Sequence, residues 1–285
     1  QRTMKASYLV TIILVLATIS SSHAFSMSIE SGVLNHKAEV AERIMAGSNT
    51  ISIVGFGSLL SEISARSTFP DLENFRYARI KGFRRIFTHP APIFFERGIA
   101  VPETQEFSSL SVQPDPGAGF VGSVFEIAGR ATVEAFVERE IEYDFAVVPY
   151  YRGGGGGARE EEEEGDGGGG GGGDDGELGR GVMCSRFTDE GFIARYGEAE
   201  FENSYGRWGI NTIWNWGPAS GILPCPVYLR HCVLAAQKQA DFVRDSFLDE
   251  TYLADCKTTI REYLELRPDI MTTLPPDDLI GRYSG

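Results

Sequence analysis

The sequence predicts an α+β fold built on a small barrel or curled sheet, in one globular domain with attachments. Short β-like segments broken by glycine and proline fill the first half of the chain, at the spacing of a small barrel. Helical periodicity dominates the C-terminal third. Between them, residues 153–181 hold 16 of the 34 glycines and almost nothing apolar, so we expect a disordered low-complexity loop that interrupts the domain over residues 49–285.

The first 24 residues have the pattern of a signal peptide. Lys5 supplies a positive charge, residues 8–17 are apolar but too short a run to span a bilayer comfortably, and Ser22-His23-Ala24 forms a small-residue cleavage site. Residues 25–48 are interpreted as the rest of a presequence with a short helix, and they resemble the bipartite presequences of algae with secondary plastids. We expect secretory-pathway entry and plastid delivery, with secretion or the endoplasmic reticulum lumen as the alternative, and no membrane attachment of the mature protein.

The most informative segment is ISIVGFGSLL, residues 51–60. Its β-branched start favours a buried strand. Gly55 and Gly57 then free the backbone, so that the N–H groups of Gly57, Ser58 and Leu59 are able to point at one anion. The spacing matches no dinucleotide fingerprint, P-loop or nucleophile elbow, so a purely structural glycine turn remains an alternative.

The remaining elements follow from periodicity and turn residues. The predicted strands are 76–80, 84–88, 98–101, 109–112, 120–127 and 145–151, and the predicted helices are 36–46, 132–140, 190–203, 226–247 and 249–266. Strands 109–112 and 120–127 are expected to pair around the turn at 114–117. Thr132 is the expected N-cap of its helix.

The formal net charge of −14 is unevenly distributed. Residues 158–180 carry nine acidic residues and two arginines, which account for half of it. The absence of a basic patch argues against nucleic acid as a partner. We interpret the acidic loop as a passive insertion rather than a binding segment.

The four cysteines, Cys184, Cys225, Cys232 and Cys256, form no CxxC pair. His231 stands beside Cys232, but the spacing to Cys225 matches no zinc pattern, so we expect packed or free thiols and no metal site. In an oxidising compartment one disulfide remains open, and the sequence does not choose the pair.

Four segments, taken in order, resemble the motifs of one known family. They are VGFGSLL at 54–60, KGFRR at 81–85, GFVGSVFEI at 119–127 and VEREIEY at 137–143. Together they are similar to the gamma-glutamylcyclotransferase-like superfamily, including its ChaC-type glutathione-degrading branch. The resemblance implies a small mixed β-barrel flanked by helices.

The resemblance also implies a reaction. The α-amine of a γ-glutamyl peptide or amine attacks its own γ-carbonyl, which gives 5-oxoproline and releases the other amine. A turn that binds the glutamyl group makes this attack intramolecular, and a glutamate transfers the protons. Neither a metal nor a cofactor is required, and the expected partner is the small-molecule substrate alone. The oligomeric state stays open.

Matched to this chain, the resemblance implies that Glu140 is the general acid and base. Glu138, Glu142 and Asp144 are alternatives for that role, and a solvated helix face is the other interpretation of these acids. Tyr143 either donates a hydrogen bond near the base or packs on the barrel.

The turn residues Phe56, Gly57, Ser58 and Leu59 are the expected substrate contacts. Phe56 replaces the family's tyrosine, and the glycines that the ChaC branch usually has after its glutamate are absent here. These departures motivate a second hypothesis, a non-catalytic module of the same fold that binds γ-glutamyl compounds or carboxylates.

Overall fold

The computed structural model describes residues 37–153 and 176–285. The predicted signal peptide and most of the predicted low-complexity loop lie outside these ranges. Within them, no helix combines the length and apolar character needed to cross a bilayer.

The centre of the fold is a closed, five-stranded mixed β-barrel. Its strands are β1 (Thr50–Gly55), β2 (Glu73–Pro90), β3 (Glu106–Ala128), β4 (Asp144–Arg152) and β5 (Glu177–Ser185). In the order β3, β1, β5, β4, β2 each strand pairs with the next, and β2 also pairs with β3, which closes the ring. β1 and β5 are parallel and the other neighbours are antiparallel. The predicted α+β fold with a mixed barrel is confirmed.

All five strands contribute apolar side chains to one buried cluster that fills the barrel. Its larger members are Ile80, Phe120, Val124, Tyr150 and Met183. Two short strands, β6 (Leu223–Pro224) and β7 (Thr251–Tyr252), extend β3 and β2 in parallel at the edges.

The helices pack around the barrel. They are α1 (37–45), α2 (Glu62–Thr68), α3 (Pro92–Glu96), α4 (Arg130–Arg139), α5 (Asp189–Tyr196), α6 (Glu198–Ser204), α7 (Pro226–Gln237), α8 (Asp241–Asp249) and α9 (Ile260–Leu266). In α1, the side chains of Val40, Ala41 and Ile44 are buried in the main core. This helix is therefore part of the domain, which extends at least to residue 37 rather than beginning at 49.

Several strand predictions need correction. Segments 76–80 and 84–88 belong to the single strand β2, whose register shifts between Lys81 and Phe83, where Gly82 has a φ of +79°. Segments 109–112 and 120–127 both belong to β3, and they pair with β2 rather than with each other. Residues 98–101 form no strand. Glycine and proline usually mark the end of a strand, but in β2 and β3 they stand at positions where a long strand continues.

Several helix predictions were too long. The 190–203 helix is split into α5 and α6 by Gly197, whose φ of +88° ends the first helix. The 226–247 helix is divided into α7 and α8, and the 249–266 helix is reduced to α9. The N-cap of α4 is Gly129, not Thr132. The low-complexity loop predicted for 153–181 ends earlier, because β5 already begins at Glu177.

A fully buried arginine on β2 connects three elements. The Nη1 group of Arg85 donates to the carbonyl oxygens of Val121 and Phe56 at 3.1 and 3.4 Å, and its Nη2 donates to Ser246 O at 2.6 Å. The guanidinium lies between two phenylalanine rings, whose centroids are 4.8 and 5.1 Å away. Arg85 thereby links the turn after β1 to β3 and α8.

Candidate active site

The turn after β1 requires glycine because neighbouring side chains approach its backbone closely. A Cβ on Gly55 would lie 2.5 Å from Ser123 Oγ and 2.6 Å from Leu59 Cβ. The chain then forms a 3₁₀ turn over Ser58–Leu60 and enters α2, where the Ser61 side chain caps the helix. The turn is thus held tightly between β3 and the start of α2.

The three expected backbone donors of this turn differ in their partners. The N–H of Ser58 is directed at the buried thiol of Cys232. The N–H groups of Gly57 and Leu59 have no hydrogen-bond partner among the described residues. These two donors flank Ser58, the residue of this turn that belongs to the cavity wall, and such successive N–H groups are able to bind an anionic or carbonyl group.

A cavity of about 750 Å³ opens beside the turn. Its wall includes Ser58, Ser109 on β3, Glu140 and Glu142 from the segment after α4, and Tyr228 on α7. Residues far apart in sequence therefore meet at one site, which has the size and polarity typical of small-molecule pockets.

Glu140 is placed in this cavity by the end of α4. The apolar face of the helix, with Phe136 and Val137 buried, packs on the core. Glu140 is the C-cap residue; its N–H donates to Phe136 O at 3.2 Å, and its carbonyl accepts from Tyr143 N at 3.1 Å. This turn aims its side chain away from the helix axis and towards the cavity.

The carboxylate of Glu140 has one cationic partner. Its Oε1 lies 2.9 Å from Arg139 Nε, and Arg139 Nη1 also donates to Thr68 Oγ1 at the end of α2. Burial raises the pKa of Glu140 above the usual value, and Arg139 opposes that rise. Burial thus makes this carboxylate a stronger base than an exposed glutamate, which is the direction that a general base needs.

The neighbouring acids have different surroundings. Glu138 is 60% exposed and pairs with Lys37 at 2.9 Å, whereas the Glu140 side chain is only 16% exposed. Asp144 pairs with Arg195 at 3.0 Å and is not part of the cavity wall. Glu142 is half-buried in the wall, and burial, followed by the nearby charge of Glu140, raises its pKa to about 8. Of the four acids in the cavity wall, Glu96, Glu138, Glu140 and Glu142, the last two are therefore the more buried.

Tyr143 contributes its ring to the cavity wall, but its hydroxyl points into the protein. The hydroxyl donates to Leu110 O at 2.9 Å and lies 2.9 Å from His89 Nε2. Burial lowers the pKa of His89 to about 3, so this imidazole is neutral, and it stacks on Trp214 with a centroid separation of 4.7 Å. Of the two roles considered for Tyr143, the geometry matches packing on the barrel.

Phe56 and Leu59 are partly buried and pack against the apolar core, while Gly57 and Ser58 approach the cavity. A Cβ on Gly57 would lie 3.3 Å from the hydroxyl of Tyr228. Ser58 is the one side chain of the four that belongs to the wall.

Two further polar residues at this site were not predicted. The Tyr228 hydroxyl hydrogen-bonds with Ser109 and with the thiol of Cys232. Tyr228 falls in the predicted 226–247 helix and Ser109 in the predicted 109–112 strand, and neither belongs to a motif. Neither offers a sequence signal, because only the fold brings β3 and α7 together beneath the turn.

All four cysteines are free thiols, and three of them, Cys184, Cys225 and Cys232, are buried. Across residues 37–153 and 176–285, no group of three or more histidine, cysteine or acidic side chains is arranged to hold a metal ion.

No family model matches the chain, and no curated protein matches it. Among solved structures, a gamma-glutamyl cyclotransferase specific to glutathione from yeast is 13% identical, with a TM-score of 0.39 over 79% of this chain and 96% of that one. A structure named gamma-glutamyl cyclotransferase is 12% identical, with a TM-score of 0.32 over 58% and 89% of the two chains. An uncharacterized protein from Homo sapiens is 12% identical, with a TM-score of 0.34 over 59% and 90%.

The chain is a closed mixed-barrel α+β protein.

Proposed function

We propose that the protein is a gamma-glutamylcyclotransferase that converts a γ-glutamyl peptide or amine, glutathione included, to 5-oxoproline and a free amine. The observation that carries the proposal is that Glu140 and Ser58 line one cavity although 82 positions separate them in the sequence. This shared cavity supports the proposal, because the reaction needs a base and an anion-binding turn next to one substrate.

The turn binds the glutamyl group. The unpartnered N–H groups of Gly57 and Leu59 offer two donors to its carboxylate or carbonyl oxygens. Fixing the glutamyl chain in a folded conformation places the α-nitrogen next to the γ-carbon, so the attack becomes intramolecular.

Glu140 starts the reaction. Its carboxylate takes a proton from the α-ammonium, and the resulting amine attacks the γ-carbonyl carbon. The raised pKa of Glu140 brings its basicity closer to that of the amine, while the ion pair with Arg139 favours its anionic form.

The test is production of 5-oxoproline by the purified full chain from glutathione and a panel of γ-glutamyl dipeptides and amines. We expect product from at least one of them. Glu140→Gln should lower kcat by about 10²–10⁴-fold while the fold is kept, because the amide cannot accept the proton.

Glu134→Gln is the matched control. Glu134 lies on the same helix and pairs with Arg130 at 2.8 Å on the surface, away from the cavity, so its variant should keep full activity. A folded protein that binds γ-glutamyl compounds without turnover would instead support the non-catalytic binding module. Full activity of Glu140→Gln would assign the base to another acid.

A further inference from the structure

Glu142 stands out among the acids near α4 because, among the described residues, it makes no ion pair, and its carboxylate is hydrogen-bonded by its own backbone N–H alone. Glu138 pairs with Lys37, Glu140 with Arg139 and Asp144 with Arg195. Among the described residues, the Glu142 carboxyl has no ion pair and no side-chain hydrogen bond. It is nevertheless half-buried and faces the same cavity as Glu140.

Two carboxyl groups that share a cavity cannot both ionise easily, and the surroundings decide which one holds the proton. Arg139 Nε, at 2.9 Å, favours the anion of Glu140. Glu142 has no cation at ion-pair distance among the described residues. Burial and the charge of Glu140 raise its pKa to about 8, against the smaller opposing effects of its own backbone N–H and of Arg139. The ion pair with Arg139 therefore favours the negative charge of the pair on Glu140 and its proton on Glu142.

Other titratable groups are placed around the pair. Six of them interact electrostatically with Glu142, namely Arg139, Glu140, Tyr143, Cys184 on β5, Tyr196 on α5 and Tyr205 after α6. The cavity wall also carries Glu96, Arg97, Glu138, Tyr228, His231 and Arg282. Burial raises the pKa values of Tyr143, Cys184 and Tyr205 well above their usual range, so these groups stay neutral over the working pH range.

Cyclisation moves two protons from the α-nitrogen to the departing nitrogen. One carboxylate is able to carry them only by acting twice, first as base and then as acid. A pair that already holds one proton and one free carboxylate has both forms ready before the substrate binds.

We propose that Glu142 is a second catalytic residue, the general acid that protonates the departing nitrogen while Glu140 acts as the base. The inference rests on the proposed cyclotransferase function and assigns a new role within the same site.

Atoms and charges balance over the cycle. Glu140 takes one proton from the α-ammonium, and the amine adds to the γ-carbon. The carboxylic acid of Glu142 gives its proton to the departing nitrogen as the C–N bond breaks, and its carboxylate then takes the second proton from the ring nitrogen. The released amine takes the proton held by Glu140, which restores both groups.

The first experiment measures kcat against pH with the best substrate of the panel, for the wild type, Glu142→Gln and the control Glu134→Gln. In the wild type and the control, kcat should fall above about pH 8 as Glu142 ionises. Glu142→Gln should lose about 10²-fold in kcat and lack this alkaline fall. An unchanged alkaline fall in Glu142→Gln, or a kcat within about 3-fold of the wild type, would overturn the inference.

The second experiment varies the leaving group. A γ-glutamyl 4-nitroanilide releases a weakly basic amine that needs little proton transfer, so Glu142→Gln should be impaired far less with it than with an alkyl amide. Glu140→Gln should be impaired with both. Equal losses for Glu142→Gln on both substrates would indicate a structural role and contradict the proposal.

A third variant covers the case in which Glu142→Gln fails to fold, as judged by circular dichroism and thermal unfolding. Glu142→Asp keeps a carboxylic acid on a shorter chain, so it should retain the alkaline fall at a reduced kcat; loss of the fall would count against the proposal. If the folded wild type makes no 5-oxoproline from any substrate, the proposed function itself fails, and that outcome is distinct from any failure of Glu142.

Discussion

Arg85 and Glu142 are both ionisable side chains withdrawn from water, and their surroundings are opposite in kind. Arg85 is completely buried, yet its two Nη groups donate to three backbone carbonyls and its plane lies between aromatic rings. Burial lowers the pKa of Arg85 to about 9, which still leaves it charged at neutral pH. Glu142 is less deeply buried and has no such partners among the described residues.

The difference separates a structural charge from a functional one. The contacts of Arg85 are saturated by the fold, apart from Nε, so the guanidinium holds the turn after β1 in place. The carboxyl of Glu142 is available for contact with a ligand in the cavity. A buried polar group without a partner lowers the free energy of unfolding of the free protein. A ligand that supplies the partner recovers this free energy when it binds.

The largest expected effect comes from removing the structural charge. Arg85→Met should destabilise the protein by about 3 kcal/mol, since three buried carbonyl groups lose their donor. Urea unfolding gives the measurement. Arg84→Met is the matched control on the adjacent residue, whose ion pair with Asp115 is partly exposed, and it should lose no more than about 1 kcal/mol. Equal losses of stability in Arg85→Met and Arg84→Met would contradict the structural role assigned to Arg85.

A smaller effect is expected at Tyr143, whose ring touches the cavity while its hydroxyl belongs to the interior. Tyr143→Phe should lower stability by about 1–2 kcal/mol, because Leu110 O and His89 Nε2 lose their partner. It should leave kcat within about 3-fold of the wild type, because the hydroxyl does not face the substrate. A large loss of kcat with unchanged thermal unfolding would place this hydroxyl in the reaction.

The smallest expected effect is a gain in stability rather than a loss. Because the pKa of Glu142 is raised in the folded state, folding opposes its ionisation, and stability is lost as pH rises from the unfolded value of about 4.5 towards about 8. Glu142→Gln should therefore gain about 1 kcal/mol over the wild type at pH 8, a modest figure because the side chain remains partly open to the cavity.

At pH 4.5 the same variant should show little gain, since the acid is then mostly protonated in the folded protein. Thermal unfolding of both proteins across this pH range supplies the measurement. A gain that did not depend on pH would mean that ionisation of Glu142 is not its source.

The sequence by itself determined the local features of this protein. The β-branched run, the glycine turn and the apolar spacing of α4 predicted β1, the start of the site and the helix that ends at Glu140, because strand and helix periodicity and glycine geometry act over a few residues. The order of the four family-like segments between residues 54 and 143 also indicated the mixed barrel.

Tertiary structure decided the relations between distant segments. The pairing of both halves of β3 with β2 and the contact of α7 with the turn depend on closing the barrel, which no local pattern encodes. The choice among four neighbouring acids was equally non-local. It depends on which carboxyl pairs with a cation and which lies in the cavity wall, and Lys37 and Arg195 reach Glu138 and Asp144 only in the folded chain. The sequence identified a segment rich in acids, and packing singled out Glu140 and Glu142 within it, because burial and neighbouring charge determine what a carboxyl group does.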